Sequence, residues 1–490
     1  MWALTLVLLI IYIPLFALLI GYGVNLYFMI IITLWRRKRL KALPITNLPM
    51  VTVQVPLFNE RYVSQRVIDA VVALDYPGDK LQIQILDDST DDTREIVAAQ
   101  VAAWQARGVR IEHIHRTDRR GYKAGALAAA MPQVEGEFIA IFDADFLPSP
   151  DFLMETLPLL LNDPKAAFVQ ARWEHLNLNA SWLTRLQAVA IDSHFMIEQY
   201  ARSRGGFAFN FNGTAGIWRR SAIIDAGGWK DHTLTEDLDL SYRAWLRGWH
   251  GLYRDDVASP AELPPTMTAF RRQQERWQRG SIECARLLLP DIWRSRYPLL
   301  AKIQATIHLL GPLVTPTMAF LMISYPFLNE LVRRVPGLIM PLSLIDYIGP
   351  VTIAPTLFFI MSQVLVGRRH WRAFAAVVLC QVIGAGMAMN TLRAVIKAVL
   401  GQRGEFLRTP KWGSAGTQRS TYRLRADMGV VADLMWGVYC LLLVVIGLMN
   451  GHTFIAVYGV MSWFGSWWVA FWTVYPDLQA MFRSKSATTA

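Results

Sequence analysis

Three cysteines stand in 490 residues, at Cys284, Cys380 and Cys440. Their wide spacing excludes a disulfide framework and a cysteine-based zinc centre. Charge is scarce as well: Asp, Glu, Lys and Arg make up 18% of the chain against 53% hydrophobic residues, and the mean hydropathy is +0.27. A soluble protein of this length is rarely so apolar, so membrane spans are the default expectation. Acidic residues are the scarcer sign, 38 against 49 Lys and Arg, for a net charge of +11. In a soluble protein that excess would raise nucleic-acid binding. Here the basic runs Arg36-Arg37-Lys38-Arg39, Arg271-Arg272 and Arg368-Arg369 abut apolar stretches, so anionic lipid is the expected counterpart and no nucleic-acid partner is assigned. Positive charge is also missing ahead of the first apolar stretch, residues 2–34. A cleavable signal peptide would carry it there and would be shorter, which excludes that reading.

What the chain does have is a polar segment, residues 45–300, long enough for one domain with its own core and flanked by apolar stretches of membrane length. Residues 1–35 are expected to form a transmembrane helix, because a span needs about 20 apolar residues. Its basic end, from Arg36, is expected on the cytoplasmic side. Further apolar runs at 303–328 and 343–366 predict a transmembrane hairpin within 301–370, and runs at 428–449 and 453–475 predict a second within 428–478. The run 373–399 carries Gln381, Asn390, Arg393 and Lys397. If it crossed, the basic segment 402–425 would lie outside, against the positive-inside tendency. Residues 371–400 are therefore expected as an amphipathic interface helix, or as a segment that dips in without crossing, with 401–427 cytoplasmic and five spans in all.

Inside the polar segment, strand-like runs at 50–56, 81–86, 110–114 and 138–142 alternate with helix-like runs at 61–74, 92–106 and 123–130. Such alternation predicts an α/β domain with a parallel sheet, whose ligands bind beyond the carboxyl ends of the strands. The acidic motifs Asp87-Asp88 and Asp143-Ala144-Asp145 fall there, as does Phe58, whose ring can stack on a nucleobase. A turn after the strand would let one carboxylate of the Asp-x-Asp reach a divalent cation and the other the sugar or ribose. Mg²⁺ or Mn²⁺ suits oxygen ligands of this kind and a diphosphate, and Asp145 is the expected direct contact. Alone, an Asp-x-Asp is more often a solvated turn. Asp87 or Asp88 would bond the base or ribose, while Asp91 or Asp92 caps the following helix. Lys123, among small residues at a helix start, suits a phosphate or sugar, although a surface lysine is as common. Thr235-Glu236-Asp237 can cap the helix 238–247 or supply a general base, for which Asp237 is the expected residue. Arg276 can pair with diphosphate oxygens, and Trp277 can face a sugar or sit at a membrane interface.

Taken in order, Asp87-Asp88, Asp143-x-Asp145, Thr235-Glu236-Asp237 and Gln273-x-x-Arg276-Trp277 resemble the motifs of the processive inverting glycosyltransferases of family 2, the group of cellulose, chitin and hyaluronan synthases. Phe211-Asn212-Gly213-Thr214-Ala215-Gly216 and Asp225-Ala226-Gly227-Gly228-Trp229 most resemble the plant cellulose-synthase-like A and C proteins, which are associated with β-1,4-mannan or glucomannan and β-1,4-glucan backbones. The resemblance implies a nucleotide-diphospho-sugar transferase (GT-A) fold and Asp237 as base. It implies a donor site at Phe58, Glu60, Asp87, Asp88, Lys123, Asp143, Gln273 and Arg276, with the metal at Asp143 and Asp145. The acceptor end would lie at Phe211, Asn212, Gly213, Thr214, Glu236 and Trp277. Phe406-Leu407-Arg408-Thr409-Pro410-Lys411 is similar to the gating loop of bacterial cellulose synthase, which implies that Phe406, Thr409 and Lys411 close over the diphosphate. Arg408 departs from the valine expected there. With no soluble domain after 478, a built-in cyclic-dinucleotide sensor is not expected, although a separate regulator or export partner is compatible.

The resulting expectation is a membrane enzyme, cytoplasmic-faced in the plasma or inner membrane. It moves a hexose, UDP-glucose preferred and GDP-mannose second, onto the nonreducing end of a β-glycan and passes the polymer through its helices. A synthase adding one sugar to a lipid is the enzymatic rival. A nucleotide-sugar-binding transporter or sensor is the non-enzymatic one, disfavoured because the C-terminal spans carry few ionisable groups.

Overall fold

The computed structural model describes residues 2–36, 47–335, 349–402, 404, 411 and 428–488. Its polar segment folds around a seven-stranded sheet: β1 (Val51–Leu57), β2 (Leu81–Asp87), β3 (Ile111–His115), β4 (Phe138–Ile141), β5 (Ala166–His175), β6 (Gly216–Arg219) and β7 (His250–Ala261). The order is β3-β2-β1-β4-β6-β5-β7. The first four strands pair in parallel, as the alternation predicts. The sheet is nevertheless mixed, which corrects the all-parallel expectation: β6 runs antiparallel to both β4 and β5, and β7 lies parallel to β5 at the far edge. The crevice falls at β1, where the chain winds to β2 on one side and β4 on the other, the place where open α/β sheets bind ligands.

Strand alternation explains the core. Val51, Val53 and Val55 meet Ile83 and Ile85 on one face and pack under helices Ser64–Val72 and Thr93–Gln105. The alternate residues are polar yet buried, and they pair with one another: Thr52 donates to Gln82 at 2.8 Å and Gln54 to Gln84 at 3.0 Å, while both distal amides donate to the Gln133 carbonyl. A buried amide without a partner costs about 1–3 kcal/mol, so this ladder fixes the β1–β2 register. On the other side of the sheet, Ile139, Ile141, Phe168, Phe211 and Trp218 form a second core.

Among the described residues, four helical stretches are long and apolar enough to cross a membrane: Leu6–Trp35, Leu299–Leu331, Gly429–Met449 and Thr453–Gln479. Helix Gly349–Leu365 is shorter, and residues 336–348 before it lie outside the described residues. The stretch expected as one interface helix is two, Trp371–Gly386 and Ala388–Val399, bent by 51° at Met387. Only the second has a polar face, and that face meets protein. Lys397 pairs with Glu275 at 2.5 Å, and Asn390 donates to the Arg271 carbonyl at 3.2 Å, both on the long helix Met267–Arg294. Arg271 itself does not reach lipid. It is buried and ion-paired with buried Asp433 on helix Gly429–Met449.

Candidate active site

The sharp turns after β1, β2 and β4 deliver their side chains to one cavity. After β1, Asn59 takes a left-handed conformation (φ 56°) and its backbone N–H donates to the Ser89 hydroxyl at 2.8 Å, which ties the first turn to the second. Phe58 lines the cavity with the Arg119 guanidinium 3.4 Å above its ring. After β2 the two adjacent aspartates part company. Asp88 lines the cavity and accepts two bonds from Arg116, at 2.8 and 2.5 Å. Asp87 is fully buried and turned towards β3, where its Oδ2 lies 2.9 Å from His113 Nε2 and 3.7 Å from His115 Nδ1. Burial would raise the Asp87 pKa, but hydrogen bonds from His113 and Ser89 outweigh it and hold the pKa below the usual value. Asp87, His113 and His115 are, among the described residues, the one set of three such side chains whose ligating atoms lie within 4.8 Å. The set does not line the cavity.

After β4, the Asp-x-Asp pair splits between two ammonium groups. Lys123 donates to Asp143 at 2.5 Å and to the Gly213 carbonyl at 2.8 Å. Lys411 donates to Asp145 at 2.5 Å. Burial raises the Asp145 pKa, with Lys411 opposing. Burial works against the charge on Lys123, yet Asp143, Glu236 and Asp237 outweigh it and raise its pKa. Two hard carboxylates at one rim, in a cavity open to a diphosphate, fit a Mg²⁺ or Mn²⁺ ion, which typically takes one or two carboxylates and completes its shell with phosphate oxygens and water.

Asp237 stands in the first turn of helix Glu236–Leu246. Thr235 occupies the cap position but its side chain makes no capping bond; of the residues weighed for that role, Asp237 accepts from the first-turn Leu238 N–H at 2.8 Å. Burial and the neighbouring Glu236 push the Asp237 pKa up to about 7, against the pull of Lys123 and Arg276. Helix Met267–Arg294 presents Gln273, Arg276 and Trp277 to the same cavity, as a three- and four-residue spacing on one helical face should. Gly280, one turn further, lets Thr235 approach: a Cβ there would sit 2.5 Å from the threonine side chain. Facing them, the 211–215 segment is braced from below. Buried Gln170 accepts from the Asn212 N–H at 2.8 Å and donates to the Thr214 carbonyl at 3.0 Å, and the Thr214 hydroxyl accepts from the Asp143 N–H at 2.9 Å.

Phe58, Glu60, Asp88, Lys123, Asp143, Asp145, Asn212, Gly213, Glu236, Asp237, Gln273, Arg276, Trp277 and Lys411 therefore line one cavity. Asp87, Phe211 and Thr214 do not reach it. Phe211 is packed between Phe168 and Trp218, and the Thr214 hydroxyl is buried against Asp143. Asp91, not Asp92, bonds the next helix, accepting from the Thr93 N–H at 3.0 Å. Phe406 and Thr409 lie outside the described residues. Sequence reasoning missed Arg116, Trp173 and His175. Arg116 and Arg119 were hidden in an ordinary-looking basic run (HRTDRR), and Trp173 and His175 sit on β5, which was not anticipated.

The cavity does not end at Trp277. A second one, of about 400 Å³, shares Asn212, Asp237, Gln273 and Trp277 with the first and continues to Tyr22, Met29 and Phe358 on the apolar helices. Its side wall is the π-helical segment His194–Gln199, where the His194 ring nitrogen lies 3.0 Å from the Asn212 amide. Irregular turns of this type occur often at functional sites.

Strand-end carboxylates at the switch of a mixed α/β sheet, with Lys123, Arg276 and Lys411 set among them and one acid poised near neutrality, define a nucleotide-sugar transferase domain of GT-A architecture. Residues 49–280 match the family described as "Glycosyltransferase like family 2", and this part of the chain is a family 2 glycosyltransferase domain. The chain is 45% identical over 276 residues to glucomannan 4-beta-mannosyltransferase 2 of Arabidopsis thaliana, covering 54% of this chain and 52% of that one. It is 38% identical over 379 residues to probable glucomannan 4-beta-mannosyltransferase 11 of Oryza sativa subsp. japonica, covering 75% and 64%. It thus spans about half the length of the first of these relatives and less than two thirds of the second. Among solved structures, the mannosyltransferase PcManGT from Pyrobaculum calidifontis, in complex with GDP-Man and Mn²⁺, shares the fold at 19% identity and a TM-score of 0.52, over 81% of this chain and all of that one.

Proposed function

We propose that this chain is an inverting β-glycosyltransferase that adds mannose from GDP-mannose to the nonreducing end of a β-1,4-linked mannan or glucomannan. The observation that carries the reading is Asp237, whose pKa is pushed up to about 7 and which lines both cavities beside the Asp143–Lys123 pair. Inversion is one in-line displacement and needs one base, not the paired carboxylates of a retaining hydrolase. In this reading Phe58 and Asp88 hold the nucleoside, and Lys123 and Arg276 face the diphosphate. Trp277 and Asn212 hold the acceptor, while Asp237 takes the proton from its attacking hydroxyl. A Mg²⁺ or Mn²⁺ ion held by Asp143 and Asp145 would neutralise charge on the departing diphosphate. Lys411, in the 401–427 segment we assign to a closing loop, would exchange Asp145 for a diphosphate oxygen. The second cavity and the apolar helices are the proposed way out for the polymer, with the domain on the cytoplasmic side of the plasma or inner membrane, where nucleotide-sugars are available. The relatives' names move GDP-mannose ahead of UDP-glucose as the first donor to test.

The test is incubation of the purified full chain with labelled GDP-mannose or UDP-glucose and Mg²⁺ or Mn²⁺, followed by linkage-specific glycanase digestion. A mannanase-sensitive polymer made only with divalent cation present is expected, and a chelator should abolish it reversibly. A single labelled sugar on an organic-soluble lipid would make the chain a glycolipid synthase instead.

A further inference from the structure

A third cavity, of about 340 Å³, opens away from the sugar site. One side is the turn between the apolar helices Gly349–Leu365 and Trp371–Gly386, which carries Arg368, Arg369 and His370, followed by Trp371 and Arg372 at the start of the second helix. The other side is helix Trp182–Ser193 of the glycosyltransferase domain, and the two are clamped together by Leu183, Leu186 and Val189 packing on Val377, Cys380 and Ile383. Arg185, Arg368, His370 and Arg372 line the cavity, and its described lining holds no carboxylate. Arg185, His370 and Arg372 are exposed, while Arg368 reaches inward to the buried carboxylate of Asp192. Arg368 is already paired with Asp192, whereas Arg185 and Arg372 are exposed on a concavity whose described lining offers them no carboxylate, so an anion seated there would join all three. Two further features say where that anion comes from. The walls above the arginines are apolar helices, and Trp371, 73% exposed with Arg372 stacked over its ring, has the amphipathic character of residues that settle at headgroup level.

We propose that this cavity seats the phosphate of an anionic phospholipid headgroup, bridging Arg185, Arg368 and Arg372 at the seam between domain and membrane helices. The seat is wired to the catalytic cavity. Arg368 donates to Asp192 Oδ2, Asp192 Oδ1 lies 3.0 Å from His175 Nε2, and His175 lines the sugar site. A headgroup sharing Arg368 with Asp192 therefore bears on the placement of His175, and hence on the rate of transfer. Lipid binding is independent of the activity proposed above, whereas the rate effect rests on it.

The test places the full chain in nanodiscs of phosphatidylcholine alone or with phosphatidylglycerol, reading retained lipid by native mass spectrometry and sugar transfer in parallel. Wild type should retain phosphatidylglycerol over phosphatidylcholine. The double variant Arg185→Gln/Arg372→Gln should lose about tenfold in that preference, as expected for charge-assisted contacts worth about 1.4 kcal/mol. Arg185→Lys/Arg372→Lys should keep much of it. Inorganic phosphate should not displace the lipid. Transfer should be faster in phosphatidylglycerol discs for wild type and equal in both discs for the Gln variant, with its basal rate unchanged. Equal retention of the two lipids, an unaffected Gln variant, or complete displacement by inorganic phosphate would overturn the site. Selective retention without any rate difference would overturn the coupling. No transfer in any disc, with retention intact, would count against the functional reading and leave the lipid seat standing.

Discussion

At the scale of single residues, Asp237 and Gly213 hold the most chemistry in the fewest atoms. With its pKa pushed up to about 7, Asp237 is largely protonated in mildly acid solution and largely ionised above neutrality. A base works only when ionised, so the transfer rate should climb about tenfold per pH unit below 7 and level off above it. A pH–rate profile measures this, and Asp237→Asn should abolish turnover while leaving nucleotide-sugar binding by calorimetry largely intact. Gly213 matters for the space it leaves. Its φ of +79° suits glycine, and a Cβ there would sit 2.9 Å from Asp237 Oδ2 and 3.3 Å from Lys123 Nζ. Gly213→Ala should lower kcat by about 10²-fold with little change in donor affinity, since displacements of about 1 Å at a reacting group have that effect. Both residues stood in recognisable motifs. Arg116 did not: nothing in HRTDRR distinguishes the arginine that clasps Asp88 from its neighbours, because that choice is made by the β2–β3 pairing, not by local pattern.

Elements tell a similar story of local signals read and distant ones missed. β1, β2 and β4 were legible to within about a residue, since buried strands flanked by turn residues carry their own signature. β7 (HGLYRDDVASPA) has no such signature. It is a strand because it pairs with β5 from about 85 residues away, with a register shift near Ala171. The long helix Met267–Arg294 reaches well past the Gln273-x-x-Arg276-Trp277 motif, and its partners are not legible in its own sequence. Arg271, expected at the lipid surface, is 4% exposed and bound to Asp433, itself 1% exposed. Removing one member of such a pair strands a buried charge, at about 3–5 kcal/mol. Asp433→Asn should therefore lower the thermal midpoint in detergent markedly. The double change Arg271→Met/Asp433→Leu should recover most of it, because the pair's mutual attraction little more than offsets its desolvation.

At the scale of the whole molecule, the boundary drawn at residue 300 is a boundary in composition only. Leu238, Tyr242 and Trp245 of the domain share a core with Ala301, Ala305 and Leu309. Met196, Ile197 and Ala201 share another with Leu26, Met29 and Ile32 of the first apolar helix. A third joins Leu183 and Phe270 to Val377 and Val469. Cutting out 45–300 would bare all three faces at once, and patches of that extent drive association. Such a fragment should elute as aggregate in size-exclusion chromatography and bind no nucleotide-sugar, whereas the full chain in detergent should elute as one species. Hydropathy marks where a chain meets lipid. It does not mark where a water-facing domain and its membrane helices share one interior.

The helix that presents Gln273, Arg276 and Trp277 to the cavity is also the one fastened to the apolar bundle, through Arg271 to Asp433 and Glu275 to Lys397. Spans tilt to match the hydrocarbon thickness around them. On the proposed function, a tilt of Gly429–Met449 would carry Arg271 with it and shift the cavity-lining groups of the same helix, so the rate of transfer should change with acyl-chain length. The fastening between this helix and the apolar bundle would then make sugar transfer a readout of bilayer thickness.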